Sequence, residues 1–348
     1  MPATMKAVVY DRPEHFEIRE LPVPEPGPGE VLLRVLLAGV CGTDLHLHVG
    51  EFGPSYPLVP GHEIVGEVVR FGADSEDLVA MAGLAEGMRV VLDNTAQCGE
   101  CAECLRQRPA FCLANVAHGV NAQGGFAEYV VIRIGRCYPA DDLDVDVAVF
   151  AEPTACVVHG LDVLGLRPGS DVLLFGAGPT GLLLTQLLSR NGAARLTVAA
   201  PTVEKLELAR RSGATRTVRV DRQDPETALA HLRANAPRGY DVVVDATGAP
   251  SVLESTIGLT RTGGTVFVYG MTPEATRWPV ASYEVFRREL TIKGSFAQQF
   301  SFDRALAYLR SGVVNPSGYV THRFGIEQYA DALAAVADSA CVKAVIAP

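Results

Sequence analysis

The residues that decide the fold are Asp171–Gly181, which read Asp-Val-Leu-Leu-Phe-Gly-Ala-Gly-Pro-Thr-Gly. The apolar run up to Phe175 predicts a buried strand, and the glycines that follow predict a tight turn. Pro179 stands where a helix would begin, a position at which its missing N–H costs nothing. The stretch therefore predicts a strand, a glycine-rich turn and a helix that continues to Arg190.

Turns of this kind hold the pyrophosphate of a dinucleotide. Gly176 permits the turn, Gly178 lets the backbone approach the phosphates, and Gly181 lets the helix pack closely on the strand. A plain corner between a strand and a helix can carry the same glycines, so the residues that follow must decide. An apolar strand over 195–199 and a helical run over 203–211 complete the strand–helix–strand unit of a dinucleotide-binding fold.

Length and composition bound the class of protein. A chain of 348 residues, 48% of them hydrophobic, fits two domains. The formal net charge of −10 argues against nucleic-acid and membrane partners, which require clustered Lys and Arg. No signal peptide precedes Met5, and no uncharged apolar run approaches the length that spans a bilayer. We expect a soluble, cytoplasmic protein whose eight cysteines are reduced.

The two halves of the chain differ in pattern, and the fold class that they predict is α/β. Residues 1–154 are rich in strands and turns, whereas residues 155–294 alternate strands with helices and predict one doubly wound parallel sheet. The last segment, 295–348, is too short to fold alone and is expected to rejoin the first domain. The six strands of the parallel sheet are predicted near 172–175, 195–199, 216–220, 240–245, 264–269 and 289–293.

Four cysteines have the spacing of a metal site. Cys98, Cys101, Cys104 and Cys112 follow the pattern C-x2-C-x2-C-x7-C, and four thiolates this close can surround Zn²⁺ as a tetrahedron. An iron–sulfur cluster also uses four thiolates, but its usual run ends in C-x3-C-P. Free buried thiols and a nucleic-acid zinc ribbon are further alternatives, and the acidic net charge disfavours the ribbon. A structural zinc is the favoured interpretation.

A second group of metal-ligating side chains is scattered along the chain: Cys41, His62, Glu63 and Glu152. A catalytic zinc needs three protein ligands and one open position. Each residue also has an ordinary structural interpretation, since a cysteine fills small spaces in cores and charged residues are common where elements end. Composition alone does not decide between the two.

The order of these motifs resembles the zinc-dependent medium-chain alcohol dehydrogenase family over nearly the whole chain. Within that family, Glu63 beside His62 and the pair Glu152-Pro153 are similar to the sorbitol and polyol dehydrogenase branch, as is the stretch 288–295. The matching pieces are Cys41-Gly42-Thr43-Asp44, Gly61-His62-Glu63-Ile64-Val65-Gly66, the four-cysteine loop, Gly124-Gly125-Phe126-Ala127-Glu128-Tyr129, Ala151-Glu152-Pro153 and the glycine turn.

The resemblance implies a β-rich GroES-like catalytic domain and a Rossmann cofactor domain. It implies that Cys41, His62 and one of the two glutamates bind the catalytic zinc, and it leaves open which glutamate. Thr43 would exchange the substrate proton, Asp44 would support the metal ligands, and His46 would pass the proton to solvent. A homodimer or homotetramer is also implied.

The cofactor preference rests on the end of the second strand of the cofactor domain. An acidic residue there normally binds the ribose of NAD, but the position is Ala200, so NADP is no longer repelled. Thr202, Lys205 and Arg210 follow, and we expect NADP to be used at least as well as NAD. The predicted cofactor contacts are Gly176, Gly178, Pro179, Thr180, Gly181, Ala200, Thr202, Lys205, Thr247 and Ser295.

Together these features predict an enzyme that transfers a hydride between a secondary alcohol of a polyol and NAD(P), with one catalytic and one structural zinc. Two alternatives remain at this point. One is a dehydrogenase of a simple alcohol or of threonine, which would need a different pocket. The other is a non-catalytic relative that binds nucleotide, which has no chemical need of Cys41, Thr43, His46 and His62 together.

Overall fold

The computed structural model describes residues 2–348, which form two compact units. One unit comprises the chain up to Ala155 together with Gln299–Pro348, and the other comprises Cys156–Gln298.

The strands and helices are numbered here in chain order. The strands are β1 (Thr4–Arg12), β2 (His15–Pro22), β3 (Glu30–Val40), β4 (Glu63–Phe71), β5 (Arg89–Leu92), β6 (Thr95–Ala96), β7 (Val116–Ala117), β8 (Tyr129–Arg133), β9 (Cys137–Pro139), β10 (Ser170–Phe175), β11 (Ala193–Ala200), β12 (Arg216–Arg219), β13 (Tyr240–Asp245), β14 (Thr260–Val268), β15 (Thr291–Gly294), β16 (Val320–Phe324) and β17 (Lys343–Ile346). The helices are α1 (Gly42–His48), α2 (Glu76–Ala82), α3 (Ala102–Leu105), α4 (Val145–Ala148), α5 (Ala151–Leu164), α6 (Pro179–Arg190), α7 (Val203–Arg211), α8 (Pro225–Asn235), α9 (Pro250–Leu259), α10 (Ser282–Arg287), α11 (Phe302–Arg310) and α12 (Tyr329–Ala337).

Strand β3 is the centre of the first unit. Its sheet has the order β16-β17-β3-β4-β5-β9, and β8 also pairs with β3. The pairs of β3 with β4, β8 and β17 are all antiparallel, so a strand from the end of the chain joins strands from its beginning. Leu33 of β3 and Phe126 are both fully buried in the core of this unit, together with Tyr329 of α12. Burial of such side chains stabilises the sheet by about 1.5–3 kcal/mol each.

The second unit is a parallel sheet of six strands. Its order is β12-β11-β10-β13-β14-β15, and each pair of neighbours is parallel. The order reverses between β10 and β13, which is the doubly wound arrangement predicted from the sequence. The fold class is thereby confirmed, and α6 and α7 have the predicted limits. Strand β14 begins at Thr260, earlier than predicted, since an irregularity after Tyr240 lets it extend along β13.

One helical stretch, Val145–Leu164, is long and apolar enough to cross a membrane by composition, with a mean hydropathy of 1.5. This stretch carries charged residues, among them Glu152. The expectation from the sequence concerned uncharged apolar runs, and this stretch does not contradict it. Of its apolar window, 67% is buried inside the structure. A helix buried in this way is typical of a protein core.

Candidate active site and metal centres

Cys41 is placed by the first turn of α1. It is the N-cap residue of that helix, and its N–H donates to Asp44 Oδ2 at 2.8 Å. Asp44 is almost completely buried, so this bond orders the start of the helix. Thr43 Oγ1 lies 3.7 Å from Cys41 Sγ. The first turn of α1 therefore brings a thiol and a hydroxyl together over a buried carboxylate.

His62 and Glu63 enter from the start of β4. The register of β3 with β4 sets Glu63 opposite Gly39, where a side chain on residue 39 would overlap the Glu63 carboxylate. Both His62 and Glu63 are buried, at 5% and 1% exposure. Gly39 thus has a packing reason to lack a side chain, because it leaves room for a buried charge.

Lys343 of β17 forms an ion pair with Glu63, and both side chains are 1% exposed. The Lys343 side chain passes over Gly39, since Cε lies 2.9 Å from the place where a Cβ of that residue would stand. Burial opposes the charged form, but Glu63, Cys41 and Asp44 together outweigh it and raise the pKa of Lys343. Lys343 was not predicted from the sequence as part of this site. The feature that could have indicated it is a lone lysine within the apolar run 341–346.

Ligand atoms of Cys41, His62 and Glu63 all lie within 4.8 Å of one another. On one side of its ring, His62 Nδ1 faces Asp44 Oδ1 at 3.7 Å, which is too long for a hydrogen bond. Burial opposes protonation of His62, but Asp44 and Cys41 outweigh it and raise its pKa to about 10. Within residues 2–348, His62 Nδ1 and Asp44 Oδ1 are buried without a hydrogen-bond partner. A sulfur, an imidazole and a carboxylate in such negative surroundings fit Zn²⁺.

Glu152 lies in the first turn of α5 and is 8% exposed. It contributes to the negative potential at His62, but it does not belong to the group within 4.8 Å. His46, on the last turn of α1, lies with Nδ1 2.6 Å from Glu51 Oε2. The structure thus brings three of the four predicted ligand residues within 4.8 Å of one another and leaves Glu152 outside that group.

The four-cysteine loop brings its sulfurs together. The Sγ–Sγ distances are 3.5 Å for Cys98–Cys112, 3.9 Å for Cys101–Cys112 and 4.0 Å for Cys98–Cys104. Zn–S bonds of about 2.3 Å in a tetrahedron place two sulfurs about 3.8 Å apart, so the cluster has the size of a zinc site. Backbone N–H groups of Cys104 and Leu113 lower the pKa of Cys101 to about 6, which favours the thiolate that binds metal.

The glycine turn has the geometry that its sequence predicts. Gly176 has φ +109°, and a Cβ on Gly181 would overlap the Gly176 carbonyl. Gly178 is the N-cap of α6, and a Cβ there would meet no described atom within 4 Å. The helix begins at Pro179. Two of the glycines are therefore required by the fold itself, whereas Gly178 opens the N-terminus of α6 to a ligand.

Four more of the predicted cofactor residues lie at the carboxyl ends of the parallel strands, whereas Lys205 lies within α7. Ala200 ends β11 and is buried, and Thr202 is the N-cap of α7. Thr247 follows β13, where its hydroxyl donates to Asp245 Oδ1 at 2.6 Å. Ser295 follows β15, and its buried Oγ has no hydrogen-bond partner among the described residues. Ligands of doubly wound sheets bind at this edge.

One cation at that edge, Arg219, was not predicted from the sequence. Arg219 is the register partner of Ala200 on the neighbouring strand β12, and it is exposed. No ion pair of Arg219 is found within residues 2–348, whereas Arg210 is paired with Glu207 at 3.0 Å. Only the pairing of β11 with β12 brings residue 219 beside residue 200. A basic residue at the end of the third predicted strand was the available signal.

Two family models match the chain. The alcohol dehydrogenase GroES-like domain matches residues 27–142, and the zinc-binding dehydrogenase domain matches residues 179–310. The chain is 43% identical to D-arabinitol dehydrogenase 1 of Uromyces fabae, over 100% of this chain and 98% of the relative. It is 34% identical to D-altritol 5-dehydrogenase of Agrobacterium fabrum, over 93% and 94%. It is 33% identical to L-threonine 3-dehydrogenase of Streptomyces avermitilis, over 97% and 96%.

Two solved structures resemble the whole chain. A zinc-binding dehydrogenase of Sinorhizobium meliloti bound to NADP superposes with a TM-score of 0.90 at 32% identity, over 100% of both chains. An alcohol dehydrogenase of Escherichia coli complexed with NADH superposes with a TM-score of 0.88 at 28% identity, also over 100% of both chains.

The chain therefore belongs to the zinc-binding dehydrogenases of the medium-chain alcohol dehydrogenase family. The predictions of a Rossmann domain with a GroES-like domain, and of an NAD(P)-dependent zinc enzyme, are confirmed. Within the family the chain lies in the polyol dehydrogenase branch, as the resemblance implied.

The glycine turn yields a matched pair of variants. Gly181→Ala should destabilise the protein by about 1–3 kcal/mol, because its Cβ overlaps the Gly176 carbonyl. Gly178→Ala should leave the free energy of unfolding nearly unchanged and weaken dinucleotide binding, since its Cβ points into open space. Urea unfolding and titration of NADPH fluorescence measure the two effects. Equal loss of stability in both variants would contradict the division of roles.

Replacing Cys101 with Ser should cost the protein one zinc ion per chain and lower its thermal stability, because the tetrahedron loses a thiolate. Residual turnover per remaining folded molecule should stay near that of the parent. Metal analysis and differential scanning fluorimetry check this, with Cys137→Ser, a buried cysteine outside the loop, as the control. Full zinc content in the Cys101 variant would show that the loop holds no metal.

Proposed function

We propose that the chain transfers a hydride between a secondary alcohol of a polyol and NADP or NAD, with Cys41, His62 and Glu63 holding the catalytic zinc. The observation that carries this proposal is the convergence of a thiol, an imidazole and a carboxylate within 4.8 Å. Bound zinc would supply a Lewis acid for the alcohol oxygen, and the nicotinamide would accept the hydride. The chain's own residues position these groups and move the proton.

Glu63 is the stronger candidate for the third ligand. It belongs to the compact group, whereas Glu152 lies outside that group and contributes to the electrostatic potential at His62. Lys343 is paired with Glu63 through Oε2 and limits how far the carboxylate can turn. Asp44, facing His62 Nδ1, would orient the imidazole as carboxylates beside metal-bound histidines do. Glu152, in the first turn of α5, would then add negative charge that offsets the charge of the zinc ion.

Thr43 and His46 would move the substrate proton. They are three residues apart on α1, a spacing that sets two side chains on one face of a helix. Thr43 lies next to Cys41, while the His46 side chain is 19% exposed and reaches solvent. The proton would pass from the alcohol to the Thr43 hydroxyl and leave through His46.

A polyol is the substrate class best supported. The relatives named above with the two highest identities act, by their names, on D-arabinitol and D-altritol, both polyols. A threonine substrate is named for a relative of slightly lower identity, 33%. We therefore keep the polyol as the conclusion.

The cofactor proposal favours NADP, with NAD also used. Ala200 offers no carboxylate to repel a 2′-phosphate. Thr202 at the N-terminus of α7 and the exposed Arg219 beside Ala200 would contact the phosphate, with Lys205 one turn into the helix. Arg210 is a weaker candidate than the sequence indicated, because Glu207 already pairs with it.

We also propose an oligomeric state and a location for the protein. Ile292 on the edge strand β15 is 41% exposed, and Tyr283 and Phe286 on α10 are 68% and 79% exposed. Apolar side chains at a sheet edge support a homodimer or homotetramer, which light scattering would measure. None of the eight cysteines forms a disulfide, which suits the reducing cytoplasm. We propose no nucleic-acid or membrane partner, in keeping with the net charge of −10.

The relay and the substrate class are tested together with D-arabinitol, D-altritol, a simple secondary alcohol and L-threonine. The parent enzyme should have its highest kcat/KM with a polyol. Thr43→Val should retain zinc and cofactor affinity while kcat falls by about 10²–10⁴, because the proton loses its first acceptor. Thr256→Val, at a buried threonine within the helix α9, is the control. A parent that prefers L-threonine would overturn the substrate class, and an unimpaired Thr43→Val enzyme would overturn the relay.

The cofactor site is tested by binding. Arg219→Ala should weaken NADPH binding by about 10- to 100-fold and leave NADH binding unchanged, since it loses a charge-assisted contact to the phosphate. Arg210→Ala is the matched control and should change neither. Ala200→Asp should shift the preference toward NAD. Fluorescence titrations of the parent and the three variants with NADPH and NADH measure the eight dissociation constants. A parent that strongly prefers NADH would mean that another group holds the ribose.

A further inference from the structure

The carboxylate of Glu51 lies beside the His46 ring. Glu51 Oε2 lies 2.6 Å from His46 Nδ1, and the two side chains are 23% and 19% exposed. The backbone repeats the connection, because the Glu51 N–H donates to the His46 carbonyl at 2.8 Å. Two contacts thus tie the same two residues together across the end of α1.

The loop that carries Glu51 is held on both sides. Gly50 has φ +87°, and a Cβ there would lie 2.6 Å from Pro13 Cγ, so only glycine fits against that ring. Phe52 has φ +71°, a rare conformation for a large residue. Its side chain packs against a small buried cluster formed by Leu47, Ala117 and Val120. The backbone on either side of Glu51 is therefore fixed by packing.

The nature of the partner determines the tautomer of His46. An ionised carboxylate can only accept a hydrogen bond, so Nδ1 must carry the proton that it donates to Glu51. The other nitrogen, Nε2, then bears the free lone pair. His48, on the same helix, provides a contrast, since its Nδ1 meets the Tyr10 hydroxyl at 2.8 Å, a neutral group that can donate or accept.

We propose that Glu51 is a positioning residue for the proton relay: it holds His46 as the Nδ1–H tautomer and stabilises the imidazolium that forms when Nε2 takes up the proton. This inference rests on the relay of Thr43 and His46 proposed above. In the relay Nε2 accepts one proton, the ring becomes an imidazolium paired with the Glu51 carboxylate, and the proton then passes to water. The neutral ring is restored, and no other reactant is consumed.

The first experiment reads the tautomer directly. Zinc-loaded protein containing ¹⁵N-labelled histidine is studied by long-range ¹H–¹⁵N correlation, and the His46 signals are assigned by their loss in His46→Gln. The parent should show a neutral His46 protonated at Nδ1. In Glu51→Gln the amide can donate or accept, so the signals should move toward the Nε2–H tautomer. An Nε2–H parent, or a tautomer unchanged in the variant, would overturn the proposal.

The second experiment is a double-mutant cycle on kcat/KM for the best polyol. Glu51→Gln and His46→Gln should each slow turnover by about 10-fold, and adding Glu51→Gln to His46→Gln should have little further effect, because Glu51 acts through His46. NADPH affinity and thermal stability should stay as in the parent. The matched control is Glu67→Gln, which removes another partly exposed carboxylate, one paired with Arg34.

The outcomes separate the two proposals. If His46→Gln turns over as fast as the parent, the relay itself fails and Glu51 loses its role with it. If His46→Gln is slow while Glu51→Gln keeps the parent rate, the relay stands and only the role of Glu51 is overturned. Independent, multiplicative losses in the double variant would likewise overturn it, since they would place Glu51 outside the path through His46.

Discussion

The ion pair of Lys343 with Glu63 is the contact on which the first unit depends. Both side chains are removed from water, and such a pair is stable only when each charge keeps its partner. Loss of one partner of a buried pair costs about 3–5 kcal/mol. Because Lys343 comes from β17 and Glu63 from β4, the pair requires that the end of the chain join the sheet made by its beginning.

Strand β3 makes that pairing possible. Gly39 lies between Glu63 on β4 and Val345 on β17, and only a residue without a side chain leaves room for the Lys343–Glu63 contact above it. The same strand ends at Val40, so Cys41 follows at once as the N-cap of α1. A single strand thus sets the position of the buried charges and of the thiol beside them.

In the second unit, close backbone packing plays the part that the buried ion pair plays in the first. The Gly176 carbonyl occupies the space where a Gly181 side chain would stand, which holds α6 tightly against β10. The N-terminus of that helix, capped by Gly178, is left open to an anion. In both units the start of a helix presents the reactive or binding groups, and glycines at the adjoining strand make the approach possible.

Much of the candidate site could be predicted, because its residues stand in short motifs. The four cysteines, the pair His62-Glu63 and the glycine turn are each local in sequence, and local spacing is what metal and phosphate chemistry constrain. Three residues could not be found in that way. Lys343 meets Glu63 across 280 positions of chain, Arg219 meets Ala200 through strand pairing, and Glu51 meets His46 only through the turn that follows α1.

The sequence by itself determined the class of fold, the four-cysteine group and the dinucleotide turn, since periodicity, ligand spacing and glycine placement act over a few residues. The scattered residues Cys41, His62, Glu63 and Glu152 were indicated only by the family resemblance. The tertiary structure decided which glutamate lies with Cys41 and His62, which cation lies beside Ala200 and which carboxylate lies beside His46. These choices depend on the register of strands and on buried charges meeting across the chain. No local pattern encodes them, because the two partners are brought together only when the sheets form.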